Sequence, residues 1–562
     1  MKNKIFWLFL IYFLIFGLIY GVLIINPFYT DWCLWQNPRL DIDIPINYLN
    51  FIAFMNSNTP VPFMDNNSFP LKTGVMFVDC LPVLAVVLKF LTGVLHKSGE
   101  FLNFQYSGFY GVLNFCLLGL LSFLFMKKIN KTGDVNAFLC SLFFVTAPIF
   151  LERFPRNYAL SSMWLILLSF VPLVYREYFD KNKFFLFNFL LGALSVSIHT
   201  SYVPVLFVNL CVCEVYDWFC GKNERRFSPY ALILYPVGVF LIFGLMGGFS
   251  NNMTTDSYYG YFLFNWAGFV APTYSFYNFS SVVLPCLNYI PCADYTAHEG
   301  FAYLGAGIIL PSFVLGGGFC LALCRKSFRE KFRNYVNHHQ LLCLLFGFLF
   351  LFMILISSLP KICFMDKAFS LQLPTFVQFF YSVLRAAGRY IWTDVFIVYF
   401  LVLSVILRIF RSKVATIMLF LCLVVQMVDL KELFFNIHTD YALKKSFVSF
   451  VETERVWDKL AEGKKNCFIS DEGRYHTPSI YPIYFWRLKN GLRFNSMIYS
   501  RYDENENFVF DDRLINPTDE DMFVFLSFHE DYDLSKVNCY SVDNCSICVK
   551  NRIIELENYR KN

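Results

Sequence analysis

Eleven separate hydrophobic runs limit what this chain can fold into more than any single motif does. The runs cover approximately residues 5–26, 104–126, 133–150, 159–175, 184–199, 202–219, 228–247, 302–324, 340–358, 390–408 and 414–430. A helix of about 20 apolar residues crosses the hydrocarbon core of a bilayer. The sequence therefore predicts a polytopic α-helical membrane protein with about 11 transmembrane helices.

The composition agrees with a membrane protein and argues against a nucleic-acid partner. Hydrophobic residues make up 57% of the chain and charged residues 16%, whereas an ordinary soluble chain is about 25% charged. The formal net charge is only +5, too small to indicate a polyanion. The many Phe, Asn, Lys and Ile residues are typical of an AT-rich bacterial genome, so we expect a bacterial inner (plasma) membrane.

The basic residues between the runs predict the orientation, because cytoplasmic loops carry an excess of Lys and Arg. With the N-terminus inside, every inner loop is short and basic. The inner cations are Lys127, Lys128, Lys131, Arg176, Lys181, Lys183, Lys222, Arg225, Arg226, Arg325, Lys326, Arg329, Lys331, Arg333, Arg408, Arg411 and Lys413. The outer segments are then 27–103, 248–301, 359–389 and the tail from 431.

Two apolar segments, the first run and residues 80–97, have more than one possible role at the membrane. The first run has no convincing small-residue cleavage site and is long enough to span, so we expect a retained first helix rather than a cleaved signal peptide. The run 80–97 contains Pro82 and Lys89, and a span there would put every later basic loop outside. We therefore expect an interfacial helix over 80–97.

The tail, residues 431–562, has a different character from the module at residues 1–430. It is rich in charged residues and Asn, with short alternating stretches at 467–470 and 522–526 that predict strands. Residues 447–460 have helical spacing. We expect a small extracytoplasmic α/β domain. Its cysteines Cys539, Cys545 and Cys548 leave the disulfide pairing open, and the pattern is only a weak zinc signal.

Acidic residues in the first outer loop are the candidates for proton transfer. Asp43 begins the stretch 43–54, whose apolar spacing predicts an amphipathic helix. A carboxylate at its start can take a proton from an acceptor hydroxyl. The plainer alternative is that a long solvated loop simply contains acids. The aspartates of this loop are Asp31, Asp41, Asp43, Asp65 and Asp79.

Arginines at the outer ends of the runs are the candidates for anion binding. Arg153 and Arg156 lie between the third and fourth runs, and Arg385 and Arg389 precede the tenth. The second pair is four residues apart, which predicts one shared helix face. Guanidinium groups suit bidentate binding of phosphate or pyrophosphate. Extension of these side chains towards lipid headgroups is an equally weighted alternative.

Two further polar residues lie at the outer end of the fifth run. His199 and Tyr202 are candidates for substrate binding, although a histidine at a helix end is more often a structural group. Acidic residues are sparse within the hydrophobic runs, which argues against a proton-coupled transporter.

Several short stretches resemble one superfamily of membrane enzymes. They are Asp43-x3-Asn47-Tyr48-Leu49-Asn50-Phe51-x2-Phe54, Phe77-Val78-Asp79-Cys80-Leu81-Pro82, Phe104-Gln105-Tyr106-x-Gly108, Ala159-Leu160-x3-Trp164, His199-x2-Tyr202, Arg385-x2-Gly388-Arg389-Tyr390-Ile391-Trp392, Gly491-Leu492-Arg493-Phe494-Asn495 and Ser500-Arg501-Tyr502-Asp503. In this order they resemble the GT-C glycosyltransferases. Within that superfamily they are most similar to an uncharacterised bacterial YfhO-like or arabinosyltransferase-like family with a C-terminal outer domain. Asn47, Asn157 and Met163 depart from the family pattern.

The resemblance implies a membrane glycosyltransferase with an inverting mechanism. Its sugar donor would be linked to polyprenyl phosphate, and its acceptor would be a cell-surface glycan or glycolipid. Asp43 matches the catalytic acid of the family, and Asp79 is the second candidate. The outer arginines would hold the donor phosphate. A divalent metal is required in some branches of the superfamily and not in others, and nothing in the sequence decides this point.

Three other functions remain open on the sequence alone. A flippase for lipid-linked saccharide should show two similar halves and polar or charged residues inside the spans, whereas the sequence indicates neither an internal repeat nor a chain of acids through several spans. A polymerase or ligase of surface polysaccharide usually lacks the long first outer loop and the tail domain. A non-catalytic scaffold built on the same fold is consistent with the three departures from the family pattern.

Overall fold

A computed structural model describes most of the chain and provides the structure analysed below. The described residues are 2–34, 43–67, 69–70, 72–78, 80–94, 104–220, 230–249, 260, 262–291, 295–327, 329–330, 340–384, 386–442, 453–470, 480–495, 506–526 and 532–560.

Helices dominate the fold. In chain order they are α1 (Lys2–Tyr20), α2 (Asp31–Leu34), α3 (Ile44–Asn56), α4 (Pro82–Val94), α5 (Ser107–Asn130), α6 (Asp134–Val145), α7 (Pro148–Arg156), α8 (Trp164–Ser169), α9 (Val171–Val174), α10 (Lys181–Ile198), α11 (Tyr202–Cys220), α12 (Ala231–Leu245), α13 (Ala306–Leu323), α14 (Gln340–Ser358), α15 (Thr375–Leu384), α16 (Trp392–Ile409), α17 (Ser412–Asp429), α18 (Lys431–Tyr441), α19 (Glu454–Ala461), α20 (Ile480–Lys489) and α21 (Glu506–Ile515).

The strands are short. They are β1 (Phe63–Met64), β2 (Thr73–Gly74), β3 (Lys361–Phe364), β4 (Lys367–Ser370), β5 (Asn466–Ile469), β6 (Arg493–Phe494), β7 (Asp521–Phe525), β8 (Asn538–Val542) and β9 (Cys545–Val549). The pairs β1–β2 and β3–β4 are separate antiparallel ribbons.

The chain divides into two compact units. The helical unit comprises Met1–Ile25, Gly108–Leu241 and Thr255–Leu443, and the mixed unit comprises Asn26–Ser107, Ile242–Thr254 and Lys444–Asn562. The first long loop and the tail, which are far apart in sequence, therefore fall within the same unit.

Seven helices in the described part of the chain are long and apolar enough to cross a membrane. They are Asn3–Tyr20, Ser107–Asn130, Tyr202–Phe219, Ala306–Leu323, Gln340–Ser358, Ala387–Ile409 and Ser412–Asp429. Each coincides with a predicted run. The chain is thus a polytopic α-helical membrane protein, whereas the predicted number of 11 spans is not confirmed.

An eighth span is present if α6 and α7 cross the membrane as one bent span. These two helices are bent by 54° at their junction, where Pro148 begins α7 and cannot donate a hydrogen bond back into α6. The remaining three predicted runs form shorter or less apolar helices. The run 159–175 is divided between α8 and α9. The run 184–199 overlaps α10, which begins with lysines and ends at Ile198, and the run 228–247 contains the 15-residue α12.

The mixed unit contains a five-stranded sheet with the strand order β6-β5-β7-β9-β8. β5 pairs in parallel with β6 and β7, while β9 pairs antiparallel with β7 and β8. Three phenylalanines fill one side of this sheet: Phe468, Phe510 and Phe523 are all buried. A disulfide joins Cys539 to Cys548 across β8 and β9, so Cys548 is not available as a zinc ligand.

Helix α3 begins directly after Asp43 as predicted, but it is not amphipathic. All residues from Ile44 to Met55 are buried, including Asn47 and Asn50. The amide of Asn67 donates to Asn50 Oδ1 at 3.2 Å, and α20 packs against α3. The polar residues of α3 are therefore used inside the unit instead of facing water.

Helix α4 occupies the run for which we predicted an interfacial helix. Its 13 residues extend about 20 Å, less than the roughly 30 Å of the hydrocarbon core. Lys89 donates to the carbonyls of Phe54 and Ser57 at 2.7 and 2.8 Å and so caps the end of α3. Phe90 on the same helix is 67% exposed.

Candidate functional site: an arginine cluster around Glu299

Three arginines of the helical unit converge on one carboxylate. Arg153 Nη1 lies 3.0 Å from Glu299 Oε2, and Arg389 Nε lies 2.8 Å from the same oxygen. Arg156 Nη2 lies 3.1 Å from Glu299 Oε1. We call these four residues the arginine cluster. Their ion pairs join α7 to the 3₁₀ helices Tyr295–Gly300 and Ala387–Ile391.

Local sequence explains how α7 presents two of these arginines. Pro148 begins the helix, a position where its missing N–H costs nothing. Arg153 and Arg156 lie three residues apart in the last turn, so their side chains leave the same face. A cation is also favoured at that end of a helix because the backbone dipole is negative there.

Two glycines allow the other two members of the cluster to approach each other. A Cβ added at Gly300 would lie 2.6 Å from the carbonyl oxygen of Leu263, and one added at Gly388 would lie 2.9 Å from the Cα atom of Gly300. Gly388 N also donates to Phe262 O at 2.9 Å. The backbones carrying Glu299 and Arg389 are therefore closer together than any residue with a side chain would allow.

The cluster is removed from water. The side chains of Arg153, Arg156 and Glu299 are buried, and that of Arg389 is only 16% exposed. Burial by itself would raise the pKa of Glu299. The charges of Arg153, Arg389 and Arg156 outweigh this effect and hold the pKa of Glu299 well below its usual range, so the carboxylate stays ionised.

Arg156 has donor atoms left over. Its Nη2 contacts Glu299 and approaches His298 Nε2 at 3.3 Å, and its guanidinium lies 4.0 Å from the ring centre of Phe276. Its Nε and Nη1 atoms are buried and have no hydrogen-bond partner among the described residues. A buried donor without a partner costs about 1–3 kcal/mol. This cost is relieved if an anion binds there.

The charge balance of the cluster also favours an anion. Glu152, next to Arg153 in α7, is the second buried acid nearby, and it accepts from Ser275 Oγ at 2.7 Å and from Phe276 N at 2.9 Å. Burial raises the pKa of Glu152, so the three arginines exceed the acids by at least one positive charge, the value when both acids are ionised. One phosphodiester, which carries a single negative charge, would balance the cluster.

His199 and Ser201 border the cluster in the connection between α10 and α11. Ser201 Oγ accepts from Arg389 Nη1 at 3.0 Å, and His199 Nδ1 accepts from Ser201 N at 3.1 Å. Burial, reinforced by the charges of Arg389 and Arg153, lowers the pKa of His199 to about 3. The imidazole is therefore neutral at neutral pH and can act as a hydrogen-bonding group.

Tyr202, the other predicted substrate-binding residue, lies close by but is already engaged. Its hydroxyl donates to the carbonyl of Leu160 at 2.6 Å and its side chain is buried. Its ring centre lies 6.4 Å from that of Trp392, whose ring in turn lies 5.2 Å from the guanidinium of Arg153. Tyr202 thus supports the wall behind Arg153.

The structure brings together three of the four arginines that the sequence singled out. Arg385 lies outside the described residues. The predicted helix face shared by Arg385 and Arg389 therefore lies partly outside the described residues; Arg389 itself belongs to the 3₁₀ helix Ala387–Ile391.

The acidic candidates belong to the mixed unit. Asp43 is partly exposed and precedes the first turn of α3, where its carbonyl accepts from Asn47 N at 2.9 Å. Asp65 accepts from the hydroxyls of Thr59 at 2.9 Å and Ser57 at 3.2 Å. Asp79 and Asp41 lie outside the described residues.

Sequence reasoning missed Glu299, which is the centre of the cluster. It lies 146 residues after Arg153 and 90 before Arg389, so no local spacing connects them. A histidine-acid-glycine sequence at residues 298–300 was a local signal at this position. Within the described residues, no group of three or more His, Cys, Asp or Glu side chains is placed to hold a metal ion.

Comparisons with known proteins add one structure and one family. The structure is a crystal structure of the Archaeoglobus fulgidus oligosaccharyltransferase in the apo form. It aligns with a TM-score of 0.42 and 11% sequence identity, over 93% of this chain and 70% of that one. No curated protein matches the sequence. The model of a family described as a domain of unknown function, DUF6311, matches residues 9–431, well over half of the chain, and the protein therefore belongs to the DUF6311 family.

Proposed function

We propose that this protein is a membrane glycosyltransferase of the GT-C type that takes a sugar from a polyprenyl-phosphate-linked donor. The observation that carries the proposal is the arginine cluster, in which three guanidinium groups share one carboxylate and Arg156 keeps buried donor atoms unpaired. Such a site suits the phosphate of the donor, because charge-assisted hydrogen bonds from arginine to phosphate are strong and directional.

The reaction would be one inverting displacement on a surface glycan or glycolipid acceptor. The acceptor hydroxyl oxygen forms a bond to C1 of the sugar, and the bond from C1 to the donor phosphate oxygen breaks. The arginine cluster stabilises the polyprenyl phosphate that leaves with an additional negative charge. Asp43 takes the proton of the acceptor hydroxyl, so atoms and charges balance without a further reactant.

The proposal places the tail outside the cytoplasm of a bacterial cell. The disulfide between Cys539 and Cys548 supports this orientation, because disulfides persist in oxidising compartments and are rare in the cytosol. Phosphatase fused after Asn562 should be active, and phosphatase fused after Glu224 should be inactive. The opposite pattern would contradict the orientation.

Sugar transfer in detergent or nanodiscs tests the catalytic half of the proposal. Asp43→Asn keeps the shape of the side chain and removes its basicity, so transfer should fall by about 10²–10⁴-fold. Asp65→Asn is the matched control, since Asp65 lies in the same unit and is held by two hydroxyls. It should retain transfer.

Asp79→Asn belongs in the same experiment because Asp79 is the second candidate base. Full transfer by Asp43→Asn together with loss by Asp79→Asn would show that the wrong acid has been assigned. Full transfer by both variants would show that neither acid is the base. No transfer by the unmodified protein would contradict the transferase and favour a scaffold. Movement of a lipid-linked saccharide across vesicles without transfer would favour a flippase.

A further inference from the structure

A short helix that ends five residues before Arg389 in the sequence shows an exposed aromatic face. Helix α15 contains Phe376, Phe379 and Phe380, which are 67%, 55% and 59% exposed. Their spacing of three and four residues places them on one side of the helix. Monomeric soluble proteins rarely show such a contiguous apolar surface to water, so something covers this face.

The chemistry of the segment favours a hydrocarbon surface. Residues 371–384 contain no charged side chain, which is unusual for a connection facing water. The helix has ten residues, so it extends about 15 Å, half the roughly 30 Å of the hydrocarbon core. It cannot cross a bilayer, but an uncharged amphipathic helix of this kind can lie along the boundary of one.

Helix α15 is held against the end of a helix that does have the length of a span. On its buried side, the hydroxyl of Tyr381 donates to the carbonyl of Ile356 at 2.8 Å. Ile356 is in the last turn of α14, which ends at Ser358. The hydrogen bond therefore fixes α15 at the level of the membrane where α14 ends.

The exposed apolar side of α14 is similar to the exposed aromatic face of α15. Leu344, Phe348, Leu351 and Leu355 recur at intervals of four, three and four residues, and all are between 45% and 68% exposed. This stripe is what a membrane-spanning helix turns towards acyl chains. The phenylalanines of α15 extend the same kind of surface at the end of the span.

From these observations we infer that α15 is an interfacial helix, embedded in the bilayer boundary with Phe376, Phe379 and Phe380 against phospholipid acyl chains. This inference goes beyond the proposed function. Five residues after Leu384, the chain reaches Arg389 of the arginine cluster, so the lipid-embedded segment leads directly into the cluster.

Photolabelling from the lipid phase tests the inference on the full chain. The protein is reconstituted in nanodiscs of phosphatidylcholine that include a phospholipid with a diazirine in its acyl chain, and the labelled residues are mapped by mass spectrometry. The segment 376–380 should be labelled to an extent comparable with the stripe 344–355 of α14. Ile554, an apolar side chain of the mixed unit that is 81% exposed, is the control and should not be labelled.

Two variants make the result specific to the aromatic face. Phe379→Asp should lose the label on α15, because a carboxylate is costly in hydrocarbon, whereas Phe379→Leu should keep it. Retained labelling of α14 in both variants shows that the fold persists. Absence of label on α15 in the unmodified protein, with α14 labelled, would overturn the inference, as would crosslinks between copies of the chain through α15. The readout is lipid contact alone, so it does not depend on sugar transfer.

Discussion

Glu299 and Asp429 are both buried carboxylates of the helical unit, but their partners differ. Asp429 accepts from neutral donors: the hydroxyl of Ser281, Tyr303 Oη at 2.8 Å, Ala306 N at 2.9 Å and Val283 N at 3.4 Å. Glu299 is held by three guanidinium groups. Hydroxyls and backbone amides fill the hydrogen-bonding capacity of Asp429 and hold together the chain segments that meet there. Three cations around one acid leave positive charge for a ligand, which is why we assign binding to one acid and structure to the other.

The largest effect should come from removing cations of the cluster. The double variant Arg156→Gln and Arg389→Gln loses two charge-assisted hydrogen bonds, worth about 1.5–3 kcal/mol each. Affinity for a polyprenyl-phosphate sugar should therefore fall by roughly 100-fold or more. Asp429→Asn should leave that affinity unchanged. Equal affinities in a folded double variant, measured in detergent, would mean that the cluster is structural in the same sense as Asp429.

Replacing Glu299 or Asp429 by its amide compares how much each carboxylate contributes to the free energy of unfolding. Glu299→Gln leaves three buried cations without their counter-charge, which should cost about 3–5 kcal/mol. Asp429→Asn removes an acceptor among neutral donors and should cost about 1–3 kcal/mol. Thermal unfolding in detergent gives the order of the two costs.

The melting temperature in the presence of inorganic phosphate provides a second comparison of Glu299→Gln with Asp429→Asn. It should raise the melting temperature of Glu299→Gln more than that of the unmodified protein, because an anion can occupy the place of the carboxylate and ligands stabilise the state that binds them. Asp429→Asn should respond like the unmodified protein. A uniform response of all three proteins would place the anion elsewhere.

A smaller effect is expected from the backbone that carries Glu299. Gly300→Ala would bring a Cβ within 2.6 Å of Leu263 O and Phe264 Cα, so the backbone must shift, at a cost of about 1–3 kcal/mol. Donor affinity should weaken as Glu299 and Arg389 separate. The control is Gly317→Ala, where a Cβ in α13 would have no neighbour within 4 Å. Equal behaviour of the two variants would show that the close approach is not needed.

The smallest effect should be a pH dependence due to His199. Its pKa in the folded protein, about 3, is below the unfolded value of about 6.5, so the unfolded chain binds the additional proton between these values. Stability should therefore fall as pH decreases from about 6.5 to 4.5, a range above the pH at which Glu299 protonates. His199→Asn should flatten that part of the melting curve against pH. An unchanged slope would mean that His199 is open to water.

The sequence predicted the elements whose pattern is local. The runs 302–324 and 340–358 correspond closely to Ala306–Leu323 and Gln340–Ser358, and the strands expected at 467–470 and 522–526 are β5 and β7. The run 159–175 failed because apolar composition does not show where a helix breaks; here α8 ends at Ser169 and Pro172 lies in the next short helix. For α3, spacing alone could not show that asparagines would be buried.

For the site, the sequence was enough to select arginines as anion-binding candidates, but it did not show which residues would contact one another. Guanidinium groups at the ends of apolar runs indicated anion binding, and Arg153, Arg156 and Arg389 do meet. Their meeting point depends on Gly300 and Gly388, whose role is visible only once the two backbones are in contact. Hydrophobic periodicity carries no information on such long-range packing.

Because three arginines share Glu299, their side chains are ordered before any ligand binds. Each arginine side chain has about 2 kcal/mol of rotamer entropy, and the ion pairs with Glu299 restrict all three before any ligand is present. The ordering cost of the receptor is thus met during folding instead of at encounter. Association would then add an anion to donor groups of Arg156 that are already held in place, so little of the binding free energy would be lost to ordering the receptor.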